Sequence, residues 1–425
     1  LARLISATMV RLSIAHGHTE DSAYGYVTHA IMVGPIRRDY RSAYEWGTLA
    51  LQVNRRFNDL KRRAEIHQQF QAHVNLWCRP FETCIQHARE ASRSGLEAGD
   101  FPYAGYGAAT EAWSAFLINQ DLEQFVRDYT PTLALLEKIK MTDFLGAHRI
   151  LLNWAQALQG RTADRLSLSD ATFDEQQFIE THQHDASFFL TFLYVARLHL
   201  NVLLGEFGNA LVAARQARTV VVTGTIWPVL SDFWGGLAAA AAFEDATEEE
   251  RSRLRRELLS AETTLTELTE TCPENFRCMS LVLSAEIKRV ESHLDQAVML
   301  LDDAISYAQQ TSNVQQEALA NELCARIWLR KDVFRARRFM NEAYRCYAVW
   351  GARSKLAHLE QHYGELLTAK ALAAATPLGA DEPGGASERV SVDMSTVLKV
   401  AHAIAVEIEV GELLRKLMTL ALENA

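Results

Sequence analysis

One turn signature, repeated along the chain, limits the fold more than any other feature. In LLGEFGNALVAARQA (203–217), Gly205 closes one helical stretch; Phe207 and Ala210 open the next, followed by Ala214 and Ala217. The offsets, 0, 2, 5, 9 and 12, recur at Arg38, Tyr40, Ala43, Gly47 and Ala50, at Ser292, Leu294, Ala297, Leu301 and Ala304, and at Lys331, Val333, Ala336, Met340 and Ala343. Weaker copies centre on Cys84 (with Phe81, Ala88 and Ala91), on Phe125 (with Leu122 and Tyr129) and on Leu254 (with Leu258 and Ala261). The central positions 43, 84, 125, 210, 254, 297 and 336 step by about 40, with one double step. A chain built this way is an array of like units, each needing its neighbours to cover its apolar face.

The units read as helix pairs. Long stretches are rich in Ala, Leu, Glu, Gln and Arg, which lose least on entering a helix, and the only short β-branched run is TVVVTGTIW (219–227). A turn Gly, a large residue beneath it and small residues where two helices approach is the pattern of TPR hairpins. Standard TPRs repeat at about 34 residues, so longer helices are expected here. The fold class is therefore all-α: a TPR-like, right-handed and open α-solenoid of antiparallel helix pairs over 1–368. The double step between Phe125 and Ala210 predicts a degenerate repeat with an insertion loop near 160–175.

From 369 to 390 the chain is dense in Ala, Gly, Pro and acid, including Pro377, Gly379, Pro383, Gly384 and Gly385, and reads as a flexible linker. A helical period resumes over 391–425, with Val397, Ala401, Ile404 and Ile408 on one stripe. That stripe is expected to pair in parallel with its copy in a homodimer, or to pack on the last repeat or on a following domain. The abrupt start at LARLIS and end at ALENA suggest a piece cut from a longer protein.

Composition narrows the function. The chain has 425 residues, 48% hydrophobic content and a formal net charge of −10, so no nucleic-acid partner is expected. No apolar run approaches the roughly 18 residues that span a bilayer. Six cysteines, Cys78, Cys84, Cys272, Cys278, Cys324 and Cys346, form no C-x-x-C pair, which fits reduced thiols in the cytoplasm.

No motif for chemistry emerges. There is no Gly-Lys dipeptide, hence no P-loop, and no H-R-D, D-F-G or G-x-S-x-G sequence. His182, His184 and Asp185 lie together, but an obvious fourth metal ligand is lacking, and a polar loop is the simpler reading. HGHTEDS (16–22) reads as a helix end at Gly17 and a new start at Thr19 or Asp21. Basic runs at 54–65, 251–258 and 330–339 alternate with apolar residues as solvated helix faces do. Trp77, Trp113, Trp154, Trp234 and Trp350 fall at core spacing. The competing enzyme reading, an α/α toroid using Asp170, Asp174 and Glu175, lacks acids clustered at successive loops. No cofactor, metal or catalytic residue is expected.

Three stretches add a family resemblance: HGHTEDSAYGYVTHAIMVGPIRRDYRSAYEWGTLAL (16–51), GLEAGDFPYAGYGA (95–108) and EALANELCARIWLRKDVFRARRFMNEAYRCYAVWGARSKLAHLEQHYGELL (317–367). They resemble the TPR-like region of giant multidomain bacterial sensor kinases. That resemblance implies an upstream serine/threonine kinase and STAND-like, AAA-type ATPase, and a downstream GAF domain and histidine kinase. It implies protein partners for this segment, within the same polypeptide and among other signalling proteins, and a non-catalytic regulatory role. The alternative is the repeat region of a STAND-type transcription activator, in which a helix-turn-helix would follow residue 425.

Overall fold

In a computed structural model, residues 2–118, 121–184, 187–220, 224–369 and 371–372 are described. The chain divides into a first unit, Leu1–Thr376, and a second, Pro377–Ala425; the second, with the stripe Val397, Ala401, Ile404 and Ile408 and most of the linker, lies outside the described residues. The described part is helical, without a strand among the described residues.

A first helix, α1 (Ala2–His16), precedes eight pairs. They are α2 (Ser22–Arg37) with α3 (Tyr40–Phe57), α4 (Leu60–His73) with α5 (Phe81–Ala98), and α6 (Phe101–Leu117) with α7 (Leu122–Tyr129) and its continuation α8 (Pro131–Lys138). Next come α9 (Thr142–Leu158) with α10 (Glu175–His182), α11 (Leu190–Leu203) with α12 (Phe207–Thr219), and α13 (Trp227–Ala242) with α14 (Glu248–Thr269). The last are α15 (Pro273–Val290) with α16 (Leu294–Gln310) and α17 (Val314–Leu329) with α18 (Val333–Trp350), before a final α19 (Arg353–Tyr363). First helices start 37 residues apart at the closest (Leu190 to Trp227) and 48 at the widest (Thr142 to Leu190). The widest step holds the non-helical loop between Leu158 and Glu175 and the short α10, where the degenerate repeat was expected.

The turn register has a backbone cause. Arg38, Gly205 and Ser292 each take a left-handed conformation, with φ of 60°, 78° and 64°, which stops one helix and lets the next begin two residues on. Lys331 does not share it. Several second helices then start under an aspartate cap: Asp39 accepts from Ser42 N, and Asp332 from Phe334 N and Arg335 N. The small residues that follow face the partner helix. Ala43, Ala50, Ala210, Ala214, Ala297, Ala304, Ala336 and Ala343 are all buried, as are Leu301 and Met340. The residue opening each helix is less constant: Tyr40, Phe207 and Leu294 are partly buried, and Val333 is exposed.

First and second helices differ in role. The series α2, α4, α6, α9, α11, α13, α15 and α17 touches in succession, whereas the second helices make at most marginal contact with one another among the described residues. That asymmetry curves the stack, with first helices inside. Sequence explains the sorting. All of α11 is buried but Arg197, as suits an interior helix. α14 is polar but for one buried stripe, Leu254, Leu258, Ala261, Leu265 and Leu268, and the exposed Leu259.

The curvature is tighter than an open stack. Arg38, in the first pair, reaches Glu267 in the sixth at 2.6 Å. Asn275, at the start of the seventh, bonds to the second: its amide donates to the carbonyls of Leu76 (2.8 Å) and Arg79 (2.9 Å), and its oxygen accepts from Phe81 N (3.0 Å). A Cβ on Gly351, which ends the eighth, would lie 3.7 Å from Leu122 Cβ in the third. Ser354 of α19 donates to Ala157 O in the fourth. The array thus coils onto itself with its pairs still stacked in succession, and the joins between turns, the Trp77–Phe276 stack and the Asn275 hydrogen bonds among them, lie outside what the local register encodes.

Candidate functional site: an axial row of cavities

Coiling leaves space along the inside, in three adjoining cavities. The first, of about 470 Å³, lies among α2, α4 and α6 and the start of α13, with Tyr24, Tyr103, Tyr106, Trp113 and Trp227 on its walls. The central one, of about 340 Å³, shares Phe81 and Leu117 with the first. The third, of about 370 Å³, shares Leu319 with the central one.

The central cavity has two unlike sides. Interior helices supply an aromatic wall: Phe116 from α6, Trp154 from α9, His199 from α11, and Phe233 and Trp234 from α13. The starts of α15 and α17 supply polar groups, among them Asn275, Asn313 and Gln315. His199 stacks on Trp234 at 4.0 Å between ring centroids and meets Trp154 edge-on at 5.2 Å. Burial holds its imidazole neutral, lowering the pKa to about 3. The Gln315 amide donates to Nε2 (3.0 Å), so Nδ1 carries the proton. Neither that Nδ1 nor Trp154 Nε1 has a hydrogen-bond partner among the described residues.

The third cavity is walled by charge. Lys355 of α19, almost fully buried, donates to Leu203 O of α11 (2.5 Å) and to Glu322 of α17 (2.8 Å). Glu322 also accepts from the Tyr347 hydroxyl (2.9 Å) and pairs with Arg326. Burial pushes the Glu322 carboxyl up, but Arg326 and Lys355 outweigh it and hold the pKa at about 2. Burial likewise lowers Lys355 to about 8, against the pull of Glu322. Beside them Arg289 binds Glu286 (2.8 Å) and Glu244 (3.1 Å), and Arg330 also reaches Glu244 (2.9 Å). Glu244, Glu286 and Glu322 each have a cation, and Lys355 makes the cluster a clasp between α19 and the middle of the array.

Residues singled out in the sequence fall elsewhere. Asp170 accepts from Thr172 inside the loop, Asp174 caps α10, and Glu175 is tied to Leu168 N and Arg197; none lines the three axial cavities. His182 is buried on Phe178 O, 3.4 Å from Asp143, His184 is exposed, and Asp185 lies outside the described residues. Among the described residues no group of His, Cys, Asp and Glu is arranged to hold a metal ion. Burial drives the thiols of Cys84, Cys272, Cys278, Cys324 and Cys346 up to about 12 and Cys78 to about 11, and all six are free. The basic runs pair with acids on the surface, as in Arg62 with Asp21, Arg255 with Glu291 and Lys331 with Asp295. No helix among the described residues is long and apolar enough to cross a membrane. Gly205 and Phe207 sit at the clasp, Gly205 against His358 and Phe207 on the third cavity. Missed altogether were Glu322, Lys355, His199 and Asn275. Only His199 carries a signal, a polar residue between Leu198 and Leu200; Glu322, Lys355 and Asn275 stand beside other polar residues.

Comparison with protein-family models finds no match, and comparison with curated proteins finds none either.

Proposed function

We propose that this chain is the non-catalytic coupling segment of a giant bacterial sensor kinase, working in the cytoplasm between an upstream ATPase and kinase and a downstream GAF–histidine kinase module. On this reading the array is TPR-like and right-handed, and its C-terminal stretch enters the GAF domain. The observation that carries the proposal is the succession of helix pairs, several of which share one register of buried small residues. Such an array offers extended surfaces to protein partners and responds as a chain of neighbouring contacts. The resemblance of residues 16–51, 95–108 and 317–367 supports the placement, and the lack of a P-loop sequence supports a role without nucleotide chemistry.

The test is a pull-down of the 425-residue chain with the AAA-type ATPase domain of the same gene, in the apo, MgADP and MgATP states. Contact that changes with nucleotide is expected. No contact in any state would overturn the role, and a helix-turn-helix following residue 425 in the gene would reassign it to a transcription activator.

A further inference from the structure

We propose that the first axial cavity binds an uncharged, ring-bearing and largely apolar small molecule. At about 470 Å³ the space lies within the range of small-molecule sites. One wall is a continuous run of rings. Tyr103 meets Tyr106 at 5.4 Å between centroids, and Tyr106 meets Phe144 at 4.8 Å. Phe144 stacks on Trp113 at 6.0 Å, and Trp113 meets Trp227 edge-on at 5.6 Å. Tyr103, Tyr106, Trp113 and Phe144 belong to the interior helices α6 and α9, yet each is partly exposed, whereas Trp77, Trp154, Trp234 and Trp350 are buried. Packing therefore leaves part of each wall ring uncovered, open to stacking or edge contact with a ligand's rings. Water is the weaker occupant, because a buried water needs two to four polar partners, and an apolar group gains by displacing water that lacks them.

Charge sets the ligand class. No Asp, Glu, Lys or Arg lines this cavity among the described residues, whereas Glu82 and Glu274 line the central one, and Arg289, Glu322, Arg326 and Lys355 the third. The one imidazole on its walls, His73, is bonded to Gly224 O (2.9 Å), and burial lowers its pKa, which keeps it neutral. A carboxylate, phosphate or ammonium group would enter without a counter-ion, which is strongly disfavoured. Two of the wall's carboxamides are engaged within the protein: Gln69 donates to the Tyr103 hydroxyl (3.4 Å) and Gln71 to Thr110 (2.6 Å). Rings are therefore the main surface that a ligand meets. The walls come from the first three pairs and, through Trp227, from the start of the sixth, so a ligand held there would bridge separate parts of the coil. Binding needs none of the neighbouring modules and stands apart from the coupling role.

The probe is N-phenyl-1-naphthylamine, an uncharged dye whose emission rises and shifts to the blue on leaving water, titrated into the 425-residue chain. Saturable binding of one molecule per chain is expected. Anilinonaphthalene sulfonate carries an anionic group on the same rings and should bind at least about tenfold more weakly at this site, failing to displace the neutral dye at equal concentration. Ala72 on α4 and Ile31 on α2 line the cavity and are partly exposed. Ala72→Phe and Ile31→Trp, made separately, each place a ring in the space from a different helix. Each should keep helicity and melting near wild type and weaken the neutral dye by at least about tenfold. The proposal is overturned by absence of saturable binding to the folded chain, by equal displacement by the sulfonate, or by unchanged affinity in whichever of the two variants stays folded.

Discussion

At the scale of single residues, the buried charges of the clasp decide more than any surface pair. Glu322 is shared by Lys355, Arg326 and Tyr347. Glu322→Gln strands Lys355 in the interior beside Arg326, and breaking a buried pair in this way costs about 3 kcal/mol or more. Urea unfolding should show that loss at neutral pH. Burial lowers Lys355 to about 8 against the pull of Glu322; without Glu322 it falls further, so the variant should recover part of its deficit against wild type as pH rises toward 8. The double variant with Lys355→Met should also recover part, and a deficit unaffected by either change would mean that the clasp is not the cause. None of this is legible locally. In ARSKLAHLE (352–360), Lys355 reads as a surface residue, because its partners at Leu203 and Glu322 lie 152 and 33 residues away.

At the scale of elements, the sequence is far more explicit. Helix pairing, turn positions and the insertion before α10 follow from spacing alone, because left-handed turn residues and close-packed alanines are local requirements. Ala210 is fully buried on α12, a helix that packs on α11 and α13. Ala210→Arg should destabilise by several kcal/mol through overpacking and a buried charge, and an unaltered melting temperature would show that the register is misplaced. On α6, a Cβ at Gly107 would come within 2.5 Å of Ser92 N and 2.7 Å of Ala88 O on α5. Gly107→Val must therefore push two backbones apart, and should lower stability by at least about 2 kcal/mol in urea unfolding; wild-type stability would show that the two helices have room to spare. The aromatic residues show where such reading stops. Trp154 and Trp234 do lie in the core, as their spacing implies, yet they also line a cavity, because cavity walls and packing faces have the same periodicity and differ only in what lies across from them.

At the scale of the whole molecule, buried neutral imidazoles set the response to acid. Burial lowers His67, His199 and His358 to about 3 and His148 to about 4, from an ordinary 6.5. In this window the unfolded chain takes up protons that the fold refuses, so the stability these groups contribute is present above pH 6.5 and lost as pH falls toward 3. Thermal melting should drop between pH 6.5 and 4, before most carboxylates titrate, and a flat profile there would contradict these burials. The coil itself is the central claim: an array of helix pairs whose early members close against later ones around an axial row of cavities. Arg38 and Glu267 test it directly, being exposed, 229 positions apart in sequence and 2.6 Å apart in space. With Arg38→Cys and Glu267→Cys introduced together in a Cys78→Ser background, a short bismaleimide, which spans the reach of the two native side chains, should cross-link the new thiols within one chain almost completely. A chain that stays helical, with both new thiols open to labelling and no cross-link formed, would contradict the coiled array.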